Sequence, residues 1–247
     1  MDSLAGKVAI VTGGARGMGE GHVRALVERG ANVLATDVLD EEGMALAGSL
    51  GDQCHFLHLD VTNEAQWDAA IAYATKAFGG VDWLVNNAGI TILKGVEDIN
   101  PQEFRKVVDV NLTGPWLGMR AVAPAMRARG GGAIINVSST AGMIGFPGTA
   151  PYVASKWGLR GITKAAALEL GKDNIRVVSL HPGAIRSPMA GWVTDDMFKY
   201  QPIGRIGETD EVSKMVVFLL AEGTYSTGSE FQIDGGSVLM GPGRIPR

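Results

Sequence analysis

The chain has 247 residues, 46% apolar and 19% charged, which is material for a buried core and excludes a disordered protein. Its 22 basic and 26 acidic side chains leave a formal charge of −4, without the basic excess that binding nucleic acid would call for. A single cysteine, Cys54, excludes an intrachain disulfide and suits a reducing, cytoplasmic compartment; no apolar run nears the ~20 residues of a bilayer span.

Short β-branched runs alternate with longer amphipathic segments. Lys7–Thr12 is expected as a buried strand, followed by glycines and a helix from Gly17 to Arg29 that Gly30 stops. A second strand is expected at Asn32–Asp37, then a helix near Asp40–Ser49. Phe56–Leu59 reads as a third strand and Glu64–Phe78 as a helix ended by Gly79-Gly80. Trp83–Asn86 is a fourth strand. A long helix is expected from Pro101, suited to a first helical position, towards Arg129. The remaining elements are a strand at Ala133–Ser138, a helix at Tyr152–Leu170, a strand at Ile175–Leu180, a helix at Glu208–Leu220 and a strand at Glu230–Ile233.

Strands apolar on both faces and separated by helices predict a single α/β domain over residues 1–247: a doubly wound Rossmann fold with a parallel seven-stranded sheet and helices on both faces. Ligands of such folds sit outside the carboxyl ends of the strands. Polar and glycine residues gather at those ends: Thr12-Gly13-Gly14, Asp37, Asp60-Val61, Asn86-Asn87-Ala88-Gly89, Ser138-Ser139 and His181-Pro182-Gly183.

The turn Thr12–Gly19 has the spacing Thr-Gly-x3-Gly-x-Gly. Its glycines would let backbone approach a pyrophosphate at a helix N-terminus, where N–H groups and a partial positive charge are available. Asp37 ends the second strand 18 residues beyond Gly19, near the ~20 expected of an acid that holds the ribose hydroxyls of NAD. Its carboxylate would repel a 2′-phosphate, whereas Arg16, inside the turn, could attract one. A helix N-cap is the other role open to Asp37. Tyr152 and Lys156, four apart, share a helix face. Lowering a phenol from a pKa near 10 to ~7 takes about 4 kcal/mol. An ammonium ~5 Å away offers roughly 3 kcal/mol at an effective dielectric of ~20.

Taken together, Thr12–Gly19, Asp60-Val61, Asn86–Gly89, Asn111, Ser139, Tyr152-x3-Lys156 and Pro182-Gly183 resemble the short-chain dehydrogenase/reductase family, from Lys7 to about Ser237. Within it, Asn136–Ser139, Tyr152–Trp157 and Asp234-Gly235-Gly236 are similar to bacterial 3α,20β-hydroxysteroid dehydrogenases, and also to 3-oxoacyl-carrier-protein reductases. The resemblance implies Tyr152 as general acid/base and Lys156 as the group that lowers its pKa and binds the nicotinamide ribose. Ser139 would fix the substrate carbonyl. Asn111 would hold a water linking Lys156 to solvent. The dinucleotide would lie along Gly13, Arg16, Gly17, Met18, Gly19, Asp37, Asp60, Val61, Asn87, Ala88, Gly89, Pro182 and Gly183, with Ile185 and Ser187 receiving the carboxamide. The other role open to Asn86 and Asn87 is to tie the fourth strand to its neighbours. Ser138 and Ser139 compete for the catalytic role, and the family spacing of thirteen residues before the tyrosine selects Ser139. His181 reads as positional.

The expected activity is hydride transfer between NAD(H) and a bulky apolar secondary alcohol or ketone, with a steroid as the candidate. The alternatives are an NADPH-dependent 3-oxoacyl thioester reductase and a dinucleotide-binding regulator that has lost chemistry, although Asn111, Ser139, Tyr152 and Lys156 are all present. A lid over Ser187–Gly204, carrying Met189, Trp192, Val193, Met197, Phe198, Tyr200 and Ile203, would face Met143, Ile144 and Phe146. The apolar residues between Phe104 and Met126 exceed one buried stripe, which with the resemblance implies a homotetramer. No metal is expected, since His55 and His58 fall on opposite sides of a strand.

Overall fold

In a computed structural model, described here for residues 3–191 and 193–240, seven parallel strands form one sheet in the order β3-β2-β1-β4-β5-β6-β7. The strands are β1 (Val8–Thr12), β2 (Asn32–Asp37), β3 (Cys54–His58), β4 (Trp83–Asn86), β5 (Gly132–Val137), β6 (Ile175–Pro182) and β7 (Glu230–Ile233). The helices are α1 (Gly17–Glu28), α2 (Asp40–Leu50), α3 (Glu64–Phe78), α4 (Pro101–Val108), α5 (Gly114–Ala128), α6 (Ala150–Leu170) and α7 (Thr209–Ala221). The doubly wound α/β fold expected from the alternating pattern is the one observed.

Alternation along each strand divides the core in two. Ala9, Val11, Val33, Ala35, Val85, Ile135 and Val178 pack with Val23 and Leu26 of α1 and Val212 and Val216 of α7. Val8, Ile10, Leu34, Leu84, Ile134 and Val177 point the other way, onto Trp67 and Ala70 of α3 and Leu117, Val122 and Met126 of α5. β1 lies between β2 and β4, so the chain reverses its direction of winding there. The crevice at that reversal is where ligands of such sheets bind.

Several element ends differ from expectation by one or two residues, and two departures have a physical reason. The long helix begins at Pro101 as expected, with Asn100 and Glu103 forming a reciprocal cap, but a π-helical turn at Asp109–Thr113 splits it into α4 and α5. Pro115 lacks the N–H that would bond back to residue 111, and Gly114 N–H instead reaches Asp109 O, five residues back. β6 runs on to Pro182 because β7 supplies a partner beyond Leu180, with His181 opposite Gln232 and Pro182 opposite Ile233.

Candidate active site

The strand ends are laced together before any ligand is considered. Thr12 Oγ1 accepts bonds from the N–H groups of Asn87 and Ala88, each 3.1 Å away. Asn87 Nδ2 donates to the carbonyls of Thr12 (3.0 Å) and Gly13 (3.1 Å). Asn86, fully within the sheet, donates to Asn136 Oδ1 at 2.8 Å and to Pro115 O at 3.2 Å. Both asparagines therefore hold strands together. Asn87 has one feature more: its Oδ1 is buried without a partner.

The glycine turn has the backbone of a ligand cradle. Gly13 and Gly17 sit at φ +62° and +60°, where L side chains are strained. A Cβ on Gly19 would collide with the Gly13 carbonyl. A Cβ on Gly89 would stand 3.4 Å from Asn111 Oδ1 and 3.7 Å from Lys156 Nζ, in the space between them. Arg16 precedes α1 exposed, with no side-chain cap on the helix, and Met18 packs its side chain onto the core. Asp37 Oδ2 accepts from Ala15 N–H inside the turn at 3.1 Å, and Oδ1 accepts from Val38 and Leu39. It is not the N-cap of α2, which is Leu39. Asp60 accepts from the amide and hydroxyl of Thr62 (2.9 and 2.8 Å), and Val61 is buried behind it. These residues fit a dinucleotide: a turn whose glycines leave room for close backbone approach, a buried acceptor without a partner, and a carboxylate at the end of β2.

Across the crevice stand the groups suited to proton transfer. Tyr152, in the first turn of α6, is partly buried, and its pKa is raised by burial, with the Ser139 hydroxyl drawing it back down. Lys156, one turn on, is only 3% exposed. Its Nζ donates to Val137 O at 2.7 Å and lies 5.6 Å from the Tyr152 ring centre. Burial lowers its pKa to about 8. Ser139 follows β5 in extended conformation (φ −172°), its Oγ accepting from Ala141 N–H at 3.1 Å. The neighbouring Ser138 points away and donates to Lys156 O at 3.1 Å, which leaves Ser139 as the serine facing the crevice. Asn111 occupies the π turn, fully buried, with Oδ1 accepting from Ile90 N–H (2.8 Å) and Nδ2 donating to Ile90 O (2.9 Å) and Ser155 Oγ (3.2 Å).

Pro182 and Gly183 close the far side of the crevice. A Cβ on Gly183 would sit 2.8 Å from Asp234 Cα, so only glycine fits there. Ile185 is buried and forms a bridge with Gly207. The segment from Ser187 begins over the glycine turn, with Pro188 Cδ 3.2 Å from the Cβ position of Gly17. Asp195 returns it to the body, accepting from Ile206 N–H at 3.0 Å and Arg186 Nη2 at 3.3 Å. Met189, Met197, Tyr200 and Ile203 are exposed along it; Trp192 lies outside the described residues. His55 and His58 go to separate partners, Tyr73 and Asp40. Among the described residues no three His, Cys, Asp or Glu side chains cluster as metal ligands, and no helix is long and apolar enough to cross a membrane.

Around Ser139, sequence spacing missed Arg160 and Glu230; His181, read there as positional, had no partner assigned. Arg160 Nη1 donates to Gly142 O at 2.6 Å and forms a two-pronged pair with Glu230 (3.1 and 2.8 Å). His181 Nδ1 lies 3.1 Å from Ser139 O. Arg160 stands four residues after Lys156, on the same helix face, the one local signal available.

Glycine turn, strand-end polar groups and a Tyr-x3-Lys helix over one crevice define a dinucleotide-dependent oxidoreductase site. The chain belongs to the short-chain dehydrogenase family, whose model matches residues 7–197. It is 52% identical to a 3-alpha-(or 20-beta)-hydroxysteroid dehydrogenase of Mycobacterium tuberculosis, over 95% of this chain and 90% of that protein. It is 45% identical to a trans-4-hydroxycyclohexanecarboxylate dehydrogenase of Sinomonas cyclohexanicum (95% and 94% covered) and 42% identical to a cyclopentanol dehydrogenase of Comamonas testosteroni (93% and 96%). A crystal structure of a short-chain type dehydrogenase/reductase from Mycobacterium marinum superposes with a TM-score of 0.90 at 32% identity, covering 95% of this chain and 96% of that one. The protein is an oxidoreductase of secondary alcohols that uses a nicotinamide cofactor.

Proposed function

We propose that the protein oxidises a bulky apolar secondary alcohol, with a hydroxysteroid as the leading candidate, and reduces the matching ketone, using NAD(H). The observation that carries this reading is the meeting of Ser139 and Tyr152 in front of the buried Lys156, across the crevice from Asp37 and the glycine turn. The bound dinucleotide supplies the hydride acceptor for the alcohol carbon. Tyr152 Oη takes the alcohol proton while the Ser139 hydroxyl holds the substrate oxygen. Lys156 places positive charge behind the phenol, and Asn111 links it towards solvent. Gly13, Arg16, Gly17, Met18, Gly19, Asp60, Val61, Asn87, Ala88, Gly89, Pro182, Gly183, Ile185 and Ser187 form the dinucleotide bed.

Asp37 supports NAD(H), since its carboxylate at the turn opposes a 2′-phosphate. The substrate class rests on the exposed apolar side chains of residues 187–204, which we assign as a lid, and on the exposed Ile144 and Phe146 that follow Ser139. The relatives named for cyclic secondary alcohols lend it further support. We place the enzyme in the cytoplasm, on its one buried free thiol, and as a homotetramer.

Specificity constants for a steroid ketone, a medium-chain 3-oxoacyl thioester and a small polar ketone, each with NADH and NADPH, test the reading. The steroid with NADH should lead, and Tyr152→Phe should lose at least ~10³-fold in kcat while retaining cofactor binding. Preference for the thioester with NADPH would overturn it in favour of an acyl reductase. A Tyr152→Phe enzyme within tenfold of wild type would remove the assigned acid/base.

A further inference from the structure

We propose that His181 is a positioning residue for catalysis: it holds the backbone of Ser139 in place through the Ser139 carbonyl, with Arg160 as its companion on Gly142. The inference rests on the role assigned to Ser139 above.

The argument begins where the β5–β6 ladder stops. Ser138 N–H donates to Leu180 O at 2.7 Å, a regular parallel rung. The next rung would run from the N–H of residue 182 to the Ser138 carbonyl. Residue 182 is proline and has no N–H. Main-chain pairing between these strands therefore ends one residue short of Ser139, where the site needs its backbone fixed. The imidazole of His181 continues the restraint by one residue. Its Nδ1 lies 3.1 Å from Ser139 O, and its Nε2 lies 2.9 Å from Ser179 Oγ.

One tautomer satisfies both contacts. A carbonyl can only accept, so Nδ1 carries the proton, and Nε2 accepts from the Ser179 hydroxyl. The ring is fully buried, and burial holds its pKa below the ordinary value, which keeps it neutral and in that tautomer. The bond to the Ser139 carbonyl and, behind it, Glu230 oppose this shift without reversing it, while Arg160 and Lys156 reinforce it. Both ring nitrogens are engaged by the protein, so His181 has no free atom to offer a substrate.

The other end of the same turn is held independently. Arg160 Nη1 donates to Gly142 O at 2.6 Å, and its remaining donors are locked on Glu230, which also pairs with Lys164 at 2.7 Å. Ser139–Gly142 is thus gripped by its first and last carbonyls, from β6 and from α6. Lys156 donates to Val137 O from the same helix. The hydroxyl of Ser139 and the phenol of Tyr152 consequently meet through two rigid elements rather than through a free loop. Small displacements of such a pair are costly to rate: ~1 Å can lower turnover about 10²-fold.

The test compares His181→Leu, which removes the donor at similar volume, with His181→Asn, which keeps an N–H near the Nδ1 position. Ser139→Ala runs beside them, with cyclohexanol and NAD⁺ as the probe pair. His181→Leu should lower kcat about 30-fold with KM for NAD⁺ within about twofold. The acid limb of its pH–rate profile should move to higher pH, because Ser139 no longer draws the Tyr152 pKa down. His181→Asn should recover most of the rate and the original pH profile. Hydrogen exchange should quicken in the peptide spanning residues 139–143 of the Leu variant alone. If His181→Leu does not fold, Arg160→Met carries the same kinetic and exchange expectations. Equal losses in the Leu and Asn variants with an unmoved pH profile would overturn the proposal, as would a Leu variant at wild-type rate. A Ser139→Ala enzyme at wild-type rate would instead overturn the role of Ser139 beneath it.

Discussion

Lys156 is costly to the fold and useful to the chemistry. The residue is 3% exposed, and its ammonium donates a hydrogen bond to Val137 O. Burial lowers its pKa from the ordinary 10.5 to about 8, a preference for the neutral form worth about 3 kcal/mol. The sign follows from proton uptake: between pH 8 and 10.5 the unfolded chain holds more protons at this site than the folded one, so stability rises with pH across that window. Below pH 8 the folded protein carries the full penalty. Lys156→Met, similar in volume, removes that penalty and forfeits about 1 kcal/mol for the bond to Val137. The variant should therefore be about 2 kcal/mol more stable than wild type at pH 7 in urea unfolding, lose this advantage by pH 10.5, and be inactive. Equal or lower stability at pH 7 would show that the Val137 contact outweighs the burial.

The elements differ in how far local sequence specifies them. β1, α1 and the turn between them could be read directly, because buried strand residues, glycines that need φ above zero and an amphipathic repeat are all local signals. The tyrosine–lysine face of α6 was legible for the same reason, since four-residue spacing fixes it. The environment of Ser139 was not: Arg160 and Glu230 are 70 residues apart, and His181 reaches Ser139 across a strand pair whose register sequence alone does not state. The π turn at Asp109–Thr113 is an intermediate case. Hydrophobic periodicity runs through it and predicts one helix, yet Pro115, four residues after Asn111, marks the missing α-helical donor. That turn brings the Asn111 side chain onto Ile90 beside Lys156, so a geometric defect in the helix serves the site. Pro115→Ala restores the N–H and should let regular helix re-form through residue 111. The expected outcome is a kcat about tenfold lower with a thermal midpoint within a few degrees of wild type. Unchanged turnover would mean that Asn111 keeps its place without the π turn.

On the scale of the whole molecule, the helical layer formed by α4, α5 and α6 carries apolar surface that the subunit does not cover. Leu117, Val122 and Met126 on α5 and Leu159 on α6 are buried, as one stripe per helix requires. Trp116, Trp157 and Leu168, on the same helices, remain 47, 48 and 86% exposed, and Phe104 of α4 joins them. Arginine guanidinium groups lie 5.7 Å from the Trp116 ring and 5.0 Å from the Trp157 ring, partly shielding those faces; Leu168 has no such cover in its exposure. Each such side chain gains about 1.5–3 kcal/mol when removed from water. Symmetric contacts between helical layers need only about 800 Å² per partner to be stable. The proposed homotetramer is the arrangement that would use this surface, and light scattering at micromolar concentration should return four subunit masses. Trp116→Glu combined with Leu168→Glu places charge on α5 and α6 without touching their buried stripes, so the variant should fold, with unchanged far-ultraviolet dichroism, and lose mass. A wild-type monomer would reject the assembly, and an intact tetramer in the double variant would move the interface to another face.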